Sequence, residues 1–293
     1  MDGRERYRQG FLRVQDGLKL AYRDYPPLDP QGRARLPLFC LAGITRNSND
    51  FHVPALHWSK TRRVIALDLR GRGLSERDPS GKSYHPEAYL SDIRCVLTAL
   101  DLGRVIFCGT SLGGYLVMGV ALFSPTAIAA AILNEASPVV DPALVESIQR
   151  NATPLTSLRP KDHESAKAAL KEALPHLGLT IESDWDALTE GSYQPDAEGQ
   201  LVCTWDPLLV AHMDPAPTQE RLWPFFGALK SFPLLLVRGG KSGFITDETL
   251  ARMQALHAGM GVVTVPGAGH SPTLKEPETA AAIDRFFQEI DPP

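Results

Sequence analysis

Six short apolar runs, each closed by glycine or another turn-forming residue, set the first constraint on this chain of 293 residues. Leu36–Leu41 ends at Ala42-Gly43, Val64–Leu67 at Asp68-Leu69-Arg70-Gly71-Arg72-Gly73, and Val105–Cys108 at Gly109. Ala129–Leu133, Pro233–Val237 and Gly261–Val265 follow. Such short runs without polar alternation suit strands buried on both faces of a parallel sheet. Helical spacing fills the intervals. Pro86–Leu100 sets Ala88, Tyr89, Ile93, Val96, Leu97 and Leu100 mostly three and four apart. Leu112–Phe123 is apolar nearly all round, as a buried helix is. Asp247–His257 and Glu278–Ile290 are amphipathic. Strand and helix in alternation predict an α/β protein with a mostly parallel sheet. Upstream, Asp16-Gly17 between Phe11–Val14 and Leu18–Tyr22 predicts a hairpin, ended by Pro26-Pro27 and Pro30.

The alternation stops between Ser137 and Ser231. Ser165–Leu174 and Ser183–Thr189 read as helices, with Pro175 and Gly178 between them and Gly191 closing the second; no strand is expected. An excursion of this length inside a compact domain carries its own structure. Residues 1–136 and 231–293 are therefore expected to form the core, and 137–230 an inserted helical cap that shapes a pocket and excludes water.

Several function classes fall away. The net charge is −4, so no basic excess points to a nucleic-acid partner. Leu116–Phe123 and Ala127–Leu133, the longest mostly apolar runs, fall far short of the ~18 residues that span a membrane. Met1–Arg8 lacks the apolar stretch of a secretory signal, so a cytoplasmic location is expected. Cys40, Cys95, Cys108 and Cys203 form no C-x-x-C pair, which disfavours a disulfide framework or structural zinc. H-E-x-x-H, an EF-hand loop and G-x-G-x-x-G after a strand are all missing, so no metal or cofactor is expected. The expected partner is a small-molecule substrate, with self-association left open.

The chemistry concentrates at Gly109-Thr110-Ser111-Leu112-Gly113, between an apolar run and a helix. That strand–turn–helix setting is the one a G-x-S-x-G nucleophile elbow requires. A serine lifted on a tight turn exposes its Oγ, and the amide of Leu112 then faces a developing oxyanion at a helix N-terminus. Serine needs a base. His270, in Pro266-Gly267-Ala268-Gly269-His270-Ser271-Pro272 after the last apolar run, sits on a loop suited to presenting an imidazole.

With these residues the chain resembles the α/β-hydrolase fold superfamily, and the likeness extends further. Asp68–Ser75 matches its D-x-R-G-x-G-x-S turn, Leu41-Ala42-Gly43 matches the strand end that usually reads H-G, and Tyr89 and Asp92 also fit. Leu41–Asn47 with Leu235–Gly239 is similar to a bacterial, poorly assigned branch. The resemblance covers roughly residues 10–136 and 231–290. It implies an eight-stranded, mostly parallel sheet flanked by helices, with the cap between the sixth and seventh strands. It also implies a second oxyanion donor, by position the amide of Ile44.

The pattern departs from the family at the triad acid. The usual positions after the seventh strand are Ser242 and Gly243, and neither is acidic. Glu135, ending the run Ala131–Asn134, keeps the order Ser…acid…His and is the leading candidate. Asp247 is an alternative, although its place at a helix start gives it another reason to be there. A third possibility is that no acid is present. Asp68 and Arg70 are read as fixing their turn, Arg46 as solvent-exposed in preference to a contact for an anionic substrate, and Trp205, Trp223, Phe225 and Phe226 as cap packing or pocket wall. The resemblance implies a serine hydrolase of a small ester or lactone, with Ser111, His270 and Glu135 catalytic and the Ile44 and Leu112 amides as oxyanion hole. Alternatives are a carbon–carbon bond hydrolase of diketone-like substrates and a non-catalytic ligand-binding protein. Serine at the elbow argues against dehalogenase or epoxide hydrolase chemistry, which resembling enzymes perform with aspartate there.

Overall fold

A computed structural model describes residues 6–140, 142–211 and 219–291. The N-terminal positions 1–5, part of the segment inspected for a signal, lie outside the described residues. So do 141 and 212–218 of the expected cap and 292–293 of the expected core.

The chain opens with the hairpin β1 (Arg8–Arg13) and β2 (Lys19–Tyr25), then β3 (Leu38–Leu41), α1 (His52–Trp58) and β4 (Val64–Leu67). Next come α2 (Pro86–Ala99), β5 (Val105–Thr110), α3 (Leu112–Phe123) and β6 (Ile128–Asn134). A long insertion carries α4 (Pro142–Ser157), α5 (His163–Ala173), α6 (Glu182–Ser192), β7 (Tyr193–Pro195), β8 (Leu201–Cys203), α7 (Leu208–Ala211) and α8 (Trp223–Gly227). The chain then returns through β9 (Leu234–Gly239), α9 (Asp247–Leu256), β10 (Gly261–Val265) and α10 (Pro277–Ile290).

The main sheet has eight strands in the order β1-β2-β4-β3-β5-β6-β9-β10. The pairs β1–β2 and β2–β4 are antiparallel, and the other pairs are parallel. Side-chain alternation divides the interior between the two faces. Phe39, Leu41, Val105, Phe107, Ala131 and Leu133 point to one face, where α2, α3, α8 and α9 lay Ile93, Val117, Phe226 and Met253. Leu38, Cys40, Ile106, Cys108, Ala130 and Ile132 point to the other, against Trp58 of α1 and Ile283 and Phe287 of α10. Both faces are covered, which is why these strands read as unbroken apolar runs.

The insertion differs from expectation in two ways. It is not strand-free: β7 and β8 pair antiparallel across a turn in which Gly199 adopts φ 79°. Three residues per strand are too few to show a period of two. Nor does Gly191 end α6, which continues to Ser192. Glycine there eases a close approach, since a Cβ would stand 3.1 Å from Asn49 Nδ2 and 3.3 Å from Arg46 Nη2.

The turn Asp68–Ser75 is fixed by its own polar groups. Asp68 accepts from the Ser48 amide at 2.7 Å and the Leu74 amide at 3.0 Å, and a Cβ at Gly73 (φ 58°) would overlap its carboxylate. Arg70 grips Asp92 in a bidentate pair at 2.7 and 2.6 Å, with the two side chains 3% and 1% exposed. These roles match the expectation for Asp68 and Arg70. Asp92→Ala should strand a buried guanidinium with Asp16 alone, and should cost about 3–5 kcal/mol. Urea denaturation reads this directly, and a loss below 1 kcal/mol would refute it.

Candidate active site

Ser111, Glu135, His270 and Ile44 follow β5, β6, β10 and β3, so all four gather at the carboxyl ends of parallel strands, where ligands bind in sheets of this kind. Ser111 holds φ 51° and ψ −114°, a conformation that non-glycine residues rarely adopt. Its surroundings enforce it. Ser111 N–H donates to the Asn134 carbonyl at 2.9 Å, and the Ser111 carbonyl accepts from Gly114 N–H at 2.9 Å. A Cβ at Gly109 would overlap the Gly113 backbone, one at Gly113 the Leu41 carbonyl, and one at Gly114 the Ala136 side chain. The three glycines therefore let the elbow press against β3 and β6.

His270 Nε2 lies 3.2 Å from Ser111 Oγ, and its Nδ1 lies 3.2 Å from Glu135 Oε2. A carboxylate only accepts, so Nδ1 carries the proton and Nε2 is left to accept from the serine. The Phe244 ring, 4.6 Å from the imidazole centroid to centroid, supports the histidine from the side. Glu135 is fully buried at φ 50°. Its N–H donates to the Val237 carbonyl at 2.9 Å, and its Oε1 accepts from Gly239 N–H at 2.6 Å. The end of β9 thus aims a carboxylate that belongs to β6. The other acid candidate is elsewhere: Asp247 is 92% exposed and pairs with Arg238 at 2.7 Å. At the usual acid position, Ser242 Oγ accepts from Phe244 N–H, and Gly243 adopts φ 66° in open space.

Neither the Ile44 amide nor the Leu112 amide donates to a protein acceptor among the described residues. The Gly43 carbonyl accepts from Arg46 N–H at 3.2 Å. A trans peptide points its C=O and N–H in opposite directions, so this bond turns the Ile44 N–H the other way. Arg72, itself buried, holds the next carbonyl, that of Ile44, through Nε at 2.6 Å. A Cβ on Gly43 would sit 3.8 Å from Ser111 Cβ, which places this loop against the elbow.

A cavity of about 180 Å³ opens over these groups. Its apolar wall includes Val53, Pro54, Ile148, Leu174, Leu179 and Leu188. Trp205, Trp223 and Phe226, also of the insertion, are instead buried in the hydrophobic core, and Phe225 packs on Phe123. The expectation of a solvent-exposed Arg46 is corrected. Its side chain is 15% exposed, bonded through Nε to Asp50 at 3.0 Å and through Nη1 to Ser192 Oγ at 2.7 Å. Contact with α6, 146 residues away, covers it. The same helix accepts from Asn47 Nδ2 at the Gly191 carbonyl (2.6 Å) and from Asn49 Nδ2 at the Ala187 carbonyl (3.0 Å). At its other end Asp184 is paired with Lys275 of the His270 loop.

The chain matches the alpha/beta hydrolase family over residues 38–283. It belongs to that family. As an alpha/beta hydrolase it is 30% identical over 284 residues to a 3-hydroxybutyrate-oligomer hydrolase of Cupriavidus necator, across 92% of each chain. It is 27% identical over 261 residues to a 2-(acetamidomethylene)succinate hydrolase of Mesorhizobium japonicum, across 88% of this chain and 89% of that one. A crystal structure of an alpha/beta hydrolase from Novosphingobium aromaticivorans superposes with a TM-score of 0.86 at 33% identity, over 97% of this chain and 98% of that one.

Two residues of this alpha/beta hydrolase escaped sequence reading. His176 lines the cavity from the turn Pro175–Leu177. Tyr115, on the first turn of α3, buries a hydroxyl with no protein partner among the described residues; burial, and secondarily the charge of Glu135, pushes its ionisation up. Neither carries a motif. Away from the cavity, His163, Glu164 and Asp186 lie close enough to share a metal ion. Lys167 Nζ already bonds Glu164 at 2.9 Å and Asp186 at 2.8 Å, which supplies a cation there. No helix among the described residues is long and apolar enough to cross a membrane.

Proposed function

We propose that this hydrolase cleaves a small ester or lactone through an acyl-enzyme on Ser111. The observation that carries the reading is the continuous path from Glu135 through His270 to a serine on a strained elbow. Ser111 Oγ attacks the carbonyl carbon while its proton passes to His270 Nε2. The amides of Ile44 and Leu112 receive the oxyanion. The carbon–oxygen bond to the alcohol breaks, and His270 returns the proton to the departing alkoxide. Water then attacks the acyl-enzyme, gives its proton to His270, and the acid leaves as Ser111 regains a proton. Glu135 holds the imidazole tautomer and stabilises the imidazolium.

The small cavity supports a small substrate. We assign the insertion 137–230 as a cap, because Ile148, Leu174, Leu179 and Leu188 come from it and form one wall. A 3-hydroxybutyrate oligomer is joined by ester bonds, so the similarity to a hydrolase of that oligomer also supports an ester substrate. The first test is a fluorophosphonate probe with wild type and Ser111→Ala, alongside hydrolysis of p-nitrophenyl acetate and butyrate. The expected result is wild-type labelling that Ser111→Ala abolishes, with turnover of at least one ester. Folded wild type that neither labels nor turns over would return the chain to the ligand-binding class.

A further inference from the structure

The ionisable side chains lining the cavity are engaged, with one exception among the described residues. Arg46 holds Asp50, Lys275 holds Asp184, and His270 bridges Ser111 and Glu135. His176 has no side-chain hydrogen bond to protein among the described residues. Its main chain is nonetheless tied to the reacting histidine. The His176 carbonyl accepts from His270 N–H at 3.1 Å, and the Leu177 carbonyl accepts from Gly269 N–H at 3.2 Å. A Cβ at Gly269 would overlap the His176 carbonyl, so the two segments are in close contact. Gly178, at φ 64°, turns the chain away immediately afterwards.

The reaction assigns this place a side. His270 delivers its proton to the departing alkoxide, so the alcohol half of the ester lies toward His270, and His176 flanks it there. We propose that His176 determines specificity by hydrogen-bonding a second oxygen function, foremost a hydroxyl, on the alcohol half of the substrate. This rests on the ester-hydrolase reading above and names the substrate class within it. A neutral imidazole offers one donor and one acceptor, the complement of a hydroxyl, which also donates and accepts. Burial, and secondarily the nearby His270, lowers the pKa of His176, which favours the neutral ring. The cations of the cavity wall already hold carboxylates, which favours a neutral polar group over an anion at this position.

The test compares kcat/KM for 2-hydroxyethyl butyrate and ethyl butyrate, followed by titration of released acid, in wild type, His176→Phe and His176→Gln. Wild type should prefer the hydroxyethyl ester by about tenfold, the scale of one hydrogen bond made in the transition state. His176→Phe, which keeps a flat ring without its nitrogens, should bring the ratio close to one. His176→Gln, which keeps a donor and an acceptor, should recover part of it. A wild type without preference overturns the assignment whether or not the variants fold. So does a ratio unchanged in His176→Phe, and both results leave the ester-hydrolase reading standing. Wild type that turns over neither ester and fails to label at Ser111 overturns both readings. Labelling at Ser111 without turnover of either ester overturns this substrate class alone.

Discussion

Ser111→Ala should reduce kcat on every accepted ester by about 10⁶-fold, the scale seen when a serine nucleophile is removed from an intact triad. The fold should not suffer. The backbone bonds of the elbow to Asn134 and Gly114 do not involve the hydroxyl, whose partner is His270 Nε2. Alanine meets the same positive φ that serine already occupies. Equal melting temperatures with residual turnover near background is the expected pair of results. Activity within a hundredfold of wild type would remove Ser111 from the chemistry, and the elbow would then serve another purpose.

Glu135→Gln should lower kcat by about 10⁴-fold while leaving the protein folded. Glutamine keeps the shape and can still accept the Gly239 N–H through its oxygen. The group then facing His270 Nδ1 is an NH₂, which donates where the carboxylate accepted. The imidazole is driven to the tautomer with its proton on Nε2, and the nitrogen facing Ser111 can no longer take a proton. Asp247→Asn is the control. Asp247 lies on the surface against Arg238, and its loss should change kcat less than twofold. A reversal of these two results, with Glu135→Gln active and Asp247→Asn dead, would require a site rearranged from the one described here.

What could be read from the residues follows from how local each signal is. Five of the six apolar runs became strands buried on both faces of the sheet, which imprints burial directly on composition, while the sixth, Gly261–Val265, is the half-exposed edge strand β10. The elbow was legible because glycine must stand on both sides of the serine, at 109, 113 and 114, where the turn packs against β3 and the end of β6. A strand end, chain order and the family resemblance put Glu135 forward beside Asp247 or no acid, and the fold sets its carboxylate against His270 Nδ1. The hairpin β7–β8 gave no such signal, because its strands are held by pairing rather than by burial of a long face. The burial of Arg46 has no local signal because its cover comes from α6, far along the chain. His176 stood beyond reach for the same reason: its position is set by backbone bonds to residues 269 and 270.

Helix α6 is joined at one end to the loop that carries His270, through Asp184 and Lys275, and at the other to the loop that carries Ile44, through Gly191 with Asn47. It works as a tie-rod between the His270 and Ile44 loops, the proposed base and oxyanion donor, which otherwise meet through the elbow at Ser111. The inserted segment is therefore not an interchangeable module. A graft from a relative would bring a new cavity wall, but unless it also brought partners for Asn47, Asn49 and Lys275, it would slacken the alignment of the two halves of the reaction. Diversification of this enzyme is better directed at the wall positions Ile148, Leu174 and Leu179, which touch the cavity without bracing either loop.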